Sequence, residues 1–242
     1  GEIIQKTYLP AGGPMLDNYT PEFGTKVHLY HFYPCQLRPE PANRDILIMD
    51  GNAGGGWNIW VYDDKLQQRF AMTFEQPRFG HHAYFCDING DGRQEILIGC
   101  RLVDGDGNIL WTLNGAKQMD LHGPGRHVDN CSIGYKTDNP DNGFFAAFSA
   151  GDDGFIISSV KDGTILSEQF PGHAQGHSIA KFNRDVPGLQ VNCGTRHRGY
   201  GIQLVTSSNG EVLNRWQPDF RSQQGLPVNW RGAGEELICF HM

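Results

Sequence analysis

The chain has no excess of basic charge, no Cys-x-x-Cys pair, no long apolar run and no sustained helical periodicity, and each absence excludes something. A formal net charge of −7 argues against a protein that wraps nucleic acid, because binding a phosphate backbone draws on clustered lysine and arginine. Six cysteines without a Cys-x-x-Cys give no support to a zinc knuckle. Cys100, Cys193 and Cys239 fall at or near the ends of apolar runs and read as buried thiols. No run approaches the ~20 residues that cross a bilayer as a helix, so no membrane partner is expected. Residues Gly1 to Lys6 show no basic start with an apolar core behind it, so no signal peptide is expected here. A parallel α/β fold fits poorly, since no segment carries helical spacing with caps.

What is present is glycine and proline, 32 and 13 among 242 residues, with aromatics throughout. That mixture predicts many short strands joined by tight turns. One stretch organises the rest, from Gly80-His81-His82 through Asp87-Ile88-Asn89-Gly90-Asp91-Gly92-Arg93-Gln94-Glu95 to Ile96-Leu97-Ile98-Gly99. It reads as strand, acidic loop, strand. Asp87, Asn89, Asp91 and Glu95, with the carbonyl of Arg93, offer the oxygens that a hard cation such as Ca²⁺ needs. An EF-hand is excluded, because Glu95 comes too early and opens an apolar β run instead of a helix. The competing reading is an Asx-turn connector that holds no metal.

The same plan recurs. Asp104-Gly105-Asp106-Gly107, Asp162-Gly163 and Asn209-Gly210 each precede a β-branched residue and leucine, a strong hairpin signal. His28, His82, His127 and His177 each precede an apolar run, at separations of about 50 residues, near the period of four-stranded propeller blades. The predicted fold is therefore all-β, a β-propeller of four-stranded antiparallel blades at about 25–74, 82–114, 127–170 and 177–218. A partial blade follows at 226–242, and residues 2–9 read as the outer strand of a preceding one. Closed rings typically have about four to eight blades, so the chain is expected to be a segment of a longer propeller of about seven or eight. A compact ring of five, closed by the N-terminal strand, is the alternative.

Histidines at the start of successive inner strands should converge near the axis, which points to His82, His127 and His177, with His81 beside them and Arg126 next to His127. Each could instead satisfy a hydrogen bond between blades. Arg196-His197-Arg198-Gly199-Tyr200 forms a second constellation, and its two guanidinium groups suit bidentate recognition of a carboxylate. A solvated basic turn is the plainer reading. Trp230 could offer a flat face to a sugar ring, although a tryptophan in such a run reads first as core.

The motif Gly80-His81-His82 … Asp87-Ile88-Asn89-Gly90-Asp91-Gly92-Arg93-Gln94-Glu95, followed by Leu102-Val103-Asp104-Gly105-Asp106-Gly107, resembles β-propeller polysaccharide lyases. The rhamnogalacturonan lyases of the eleventh lyase family and the propeller ulvan lyases look most similar. The likeness extends through Gly176-His177-Ser178-Ile179-Ala180 and covers about residues 80–218. It implies β-elimination at a uronic acid, in a secreted or periplasmic enzyme acting on an acidic polysaccharide with Ca²⁺ bound. A base takes the C5 proton, an acid assists departure of the C4 oxygen, and a cation neutralises the carboxylate. His82 is the first choice of base and His127 the second. Tyr200 is the acid, or exchanges roles with the histidine, and Arg196 or Arg198 is the clamp, with His81, His177, Arg126, Arg198 and Trp230 as substrate contacts. A non-catalytic propeller that binds carbohydrate or protein is the alternative.

Overall fold

The computed structural model describes residues 29–40, 44–51, 58–74, 80–113, 128–196, 201–218, 225–230, 232 and 236–239. Among these residues there is no α-helix, only a single 3₁₀ turn at Pro140–Asn142, and no helix is long and apolar enough to cross a membrane. The strands form four four-stranded antiparallel sheets. The first comprises β1 (Leu29–Cys35), β2 (Asp45–Gly51), β3 (Asn58–Tyr62) and β4 (Gln68–Thr73). The second comprises β5 (Ala83–Cys86), β6 (Glu95–Ile98), β7 (Arg101–Val103) and β8 (Ile109–Thr112). In the third are β9 (Asn130–Tyr135), β10 (Phe144–Ser149), β11 (Phe155–Ser159) and β12 (Ile165–Gln169). The fourth holds β13 (Ala174–Ala180), β14 (Gln190–Thr195), β15 (Gln203–Thr206) and β16 (Val212–Trp216), and β17 (Gly225–Val228) pairs with β18 (Glu236–Cys239) beyond it.

This is a β-propeller segment. Within each sheet the strands meander in chain order, and the first strands of successive sheets touch: β5 meets β9, β9 meets β13, and β13 meets β17. Tyr33 of β1 packs on Phe85 of β5, with ring centroids 5.7 Å apart. First strands therefore stand innermost, and the fourth strands, whose residues are mostly exposed or half-buried, form the rim.

The middle strands explain their own sequences. A blade is covered on both faces, so its central strands read as continuous apolar runs instead of alternating ones. Ile96 and Ile98 of β6 face the first sheet, where they join Leu47, Met49, Ile59 and Val61. Leu97, between them, turns the other way and packs with Phe148 and Ile156 of the third sheet. In the same manner Phe148 faces the second sheet, while Phe145 and Ala147 face Val191, Cys193 and Leu204 of the fourth. Each interface is thus a close-packed layer shared by two blades.

The outer hairpins repeat one device. Asp63 accepts backbone N–H bonds from Lys65 and Gln67, and Asp104 accepts them from Asp106 and Asn108. Ser207 does the same for Asn209 and Glu211. A short oxygen that replaces a backbone acceptor fixes the turn locally, without help from the rest of the fold.

Candidate functional site

A cleft of about 560 Å³ opens where the inner strands of the sheets meet. It is lined by His31, His81, His82, Asp129, Asn130 and Gln175, with Gly176. Four sheets contribute. His31 comes from β1, His81 and His82 from the residues leading into β5, Asp129 from the residue before β9, and Gln175 from β13. The approach to β5 is held by the third sheet, since His81 N–H donates to the Val128 carbonyl at 3.2 Å. Gly80 makes this possible with φ of +73°, and a Cβ there would stand 1.7 Å from the Val128 oxygen. Only glycine tolerates both the left-handed backbone and the contact.

The adjacent histidines face different neighbours. The His82 ring meets His31 edge-on at 5.8 Å, and its Nδ1 lies 3.4 Å from the Tyr33 hydroxyl. Desolvation by the surrounding walls lowers the His82 pKa below 6.5, and His31 lowers it further, against a weaker pull from Asp129. His82 is thereby kept neutral near pH 7 while still open to the cleft. Burial, slightly offset by a hydrogen bond from Ala83, raises the Tyr33 pKa above 10, so the phenol keeps its proton. The His81 Nε2 lies 3.7 Å from Asp129 Oδ1.

Asp129 is buried, with Gln175 Nε2 donating to its Oδ1 at 2.6 Å. Behind it stands His173, only 3% exposed, with Nε2 3.5 Å from Asp129 Oδ2 and Nδ1 2.9 Å from Asp152 Oδ1. Burial alone would lower the His173 pKa, but hydrogen bonds and charge from Asp129 and Asp152 outweigh it and raise the value above 6.5.

His177 corrects an expectation. It sits in the middle of β13, not at a strand start, and is 3% exposed. Its ring bridges Ser132 Oγ at 2.6 Å and Ser149 Oγ at 2.9 Å, tying the fourth sheet to the third. Desolvation pushes its pKa down to about 3. With both nitrogens engaged, it is a link between blades and is not among the residues that line the cleft. Trp230 departs in the opposite direction: instead of joining a core it is 83% exposed.

Arg196 is exposed just after β14, and its backbone N–H donates to the His173 carbonyl at 2.9 Å. His28, Arg126, His127, Arg198 and Tyr200 lie outside the described residues. His31, Tyr33, Asp129, His173 and Gln175 went unsinguled in the sequence. His31 had a faint signal, since His31-Phe32-Tyr33 alternates polar and aromatic positions on an inner strand. Asp129, two residues beyond His127, had none apart from that position.

In the acidic loop, Asp87 accepts N–H bonds from Gly90 and Gly92, Asn89 from Asp91, and Asp91 from Arg93. Glu95, 4% exposed, accepts from Ile88 N–H and the Asn89 amide. Desolvation raises the Glu95 pKa, and the charges of Asp91 and Asp87 add to the rise. Among the described residues no three acidic, histidine or cysteine groups converge as a preformed metal cage. The donor set still fits a hard cation in kind: every candidate ligand atom is oxygen, and each carboxylate oxygen that accepts one N–H keeps a second lone pair.

No family model matches the chain, and no curated protein matches it in sequence. Solved structures do. The rhamnogalacturonan lyase YesW is similar at 17% identity and a TM-score of 0.64, covering 96% of this chain and 41% of that one. The rhamnogalacturonan lyase PL11 of Bacillus licheniformis is similar at 18% identity and a TM-score of 0.65, covering 96% and 38%. The biofilm matrix protein Bap1 of V. cholerae is similar at 18% identity and a TM-score of 0.61, covering 86% and 34%. The chain thus spans well under half the length of each, and at these identities what it shares with them is the β-propeller fold.

Proposed function

We propose that this propeller segment carries the reactive groups of a polysaccharide lyase that cleaves a uronate polymer, rhamnogalacturonan or ulvan, by β-elimination. One observation carries the reading: a neutral imidazole, His82, opens on a cleft with two further histidines, and its Nδ1 lies 3.4 Å from the Tyr33 phenol. His82 takes the C5 proton, and Tyr33 or Tyr200 gives a proton to the departing C4 oxygen. The bond between C4 and its oxygen breaks as the C4–C5 double bond forms, so protons and electrons balance within substrate and enzyme. The carboxylate is neutralised from the rim by Arg196 and Arg198 and from within by His81, while Arg126, His127 and Trp230 make further substrate contacts. Asp87, Asn89, Asp91, Glu95 and the Arg93 carbonyl would hold a structural Ca²⁺. The cleavage products would be released in a secreted or periplasmic setting, where such polymers are met.

The test is incubation of the protein with acidic polysaccharides and added Ca²⁺, following ultraviolet absorbance from unsaturated uronyl ends. Absorbance should rise with at least one uronate polymer and be lost in His82→Gln. No rise with any of them sinks the proposal. A second reading, a propeller that binds carbohydrate without cleaving it, draws on the exposed Trp230 and the likeness to a biofilm matrix protein. Retention of polymer without unsaturated product would favour it.

A further inference from the structure

We propose that Asp129, backed by His173 and Asp152, is the positioning residue of the cleft and holds a proton on His81 Nε2, so that His81 presents a cation to an anionic sugar. This rests on the reading of the cleft as a uronate site. The geometry forms a row: Asp152 Oδ1 to His173 Nδ1 at 2.9 Å, His173 Nε2 to Asp129 Oδ2 at 3.5 Å, and Asp129 Oδ1 to His81 Nε2 at 3.7 Å. His173 and Asp129 are buried, whereas His81 is partly open to the cleft. With His173 protonated, these two carboxylates and one imidazolium sum to a single negative charge on the side of His81. Asp152 is what makes this so. If it were absent, a protonated His173 would cancel Asp129 and leave His81 beside a neutral pair. Gln175 completes the arrangement by donating to Asp129 Oδ1, which fixes the carboxylate plane.

The consequence is a division of labour between neighbours in the chain. His82 faces His31 and Tyr33 of the first sheet, where burial and the charge of His31 favour its neutral form. His81 faces the third sheet and its carboxylate. In the cleft His81 shares its lining with His31, His82 and Asp129, and His173 and Asp152 stand behind Asp129. A base and a cation are thus made from two adjacent imidazoles.

The experiment is a histidine NMR titration of the full chain, with His81 assigned through His81→Gln. The parent His81 should titrate above the ordinary imidazole value of ~6.5. Its midpoint should fall in Asp129→Asn and also in Asp152→Asn, although Asp152 does not touch His81. A parent His81 that titrates at or below the ordinary value overturns the proposal, and so does a midpoint unchanged in both variants. Because the parent measurement needs no substitution, a variant that fails to fold does not remove the test. For cleavage, Asp129→Asn should raise KM about tenfold, the loss of one charge-assisted contact, while kcat changes less. If no polymer is cleaved but His81 titrates high and depends on Asp129, the lyase reading fails and the pairing stands.

Discussion

His82 and His177 show how burial alone gives one residue type two roles. Both pKa values are lowered by desolvation, but His82 keeps an open face and His177 has both nitrogens spent on serines. A histidine that stays neutral below pH 6.5 remains a competent base there, so the acid limb of the activity profile should lie below 6.5. His82→Gln should lower kcat by roughly 10²- to 10⁴-fold with an unchanged melt, the range for loss of a general base. For His177 the sign follows from linkage: unfolded, it takes a proton at 6.5, while folded it stays neutral down to about 3. Its contribution to stability is complete above 6.5 and is lost as pH falls toward 3. Melting temperature should therefore decline across that window, and His177→Gln should make the decline shallower. An equally steep decline in the variant would assign acid lability elsewhere. His173 acts oppositely, since its raised pKa adds stability below 6.5 that is lost as pH rises through the folded value.

At the scale of the element, the loop between first and second strands is where the blades differ. The second strands of the first, second and fourth sheets open on Asp45, Glu95 and Gln190, and each side chain accepts an N–H from its own loop. Asp45 is compensated by Arg38 and Arg69 at 3.1 and 3.3 Å, and Gln190 has no charge to compensate. The Glu95 loop gathers Asp87 and Asp91 near a carboxylate that burial already disfavours. Added Ca²⁺ should raise the melting temperature, and a chelator should reverse the shift. The rise should vanish in Glu95→Gln, and a melt indifferent to Ca²⁺ would leave the loop as an Asx-turn connector. Gly80 is the other decisive point. Gly80→Ala, with φ of +73° and a Cβ driven against the Val128 carbonyl, should cost about 2 kcal/mol or more by chemical denaturation. Activity should fall with it, because the same contact anchors His81 and His82.

For the molecule as a whole, stability resides in layers owned by neighbouring sheets. Phe148 is fully buried between the second and third sheets, and Phe145 between the third and fourth. Phe148→Ala should cost about 3–5 kcal/mol in urea unfolding. The loss should appear as a shift of the transition shared by the second and third sheets, because the cavity belongs to both. Trp111 strengthens the same joint, its indole donating to the Val160 carbonyl at 2.7 Å.

Much of this architecture was readable before any coordinates. The hairpins at Asp104, Asp162 and Asn209 are fixed by contacts within a few residues, so their turns are written in local sequence. The apolar runs of β6 and β10 declare strands covered on both faces, and their recurrence declares blades. Tertiary structure alone decided which histidines share a cleft. It set His31, not His177, opposite His82, and it placed Asp129, Gln175 and His173 behind His81. The physical reason is range. A turn is closed by its own backbone, whereas a cleft between blades depends on rotation and stagger of whole sheets, which the packing of large side chains between them fixes.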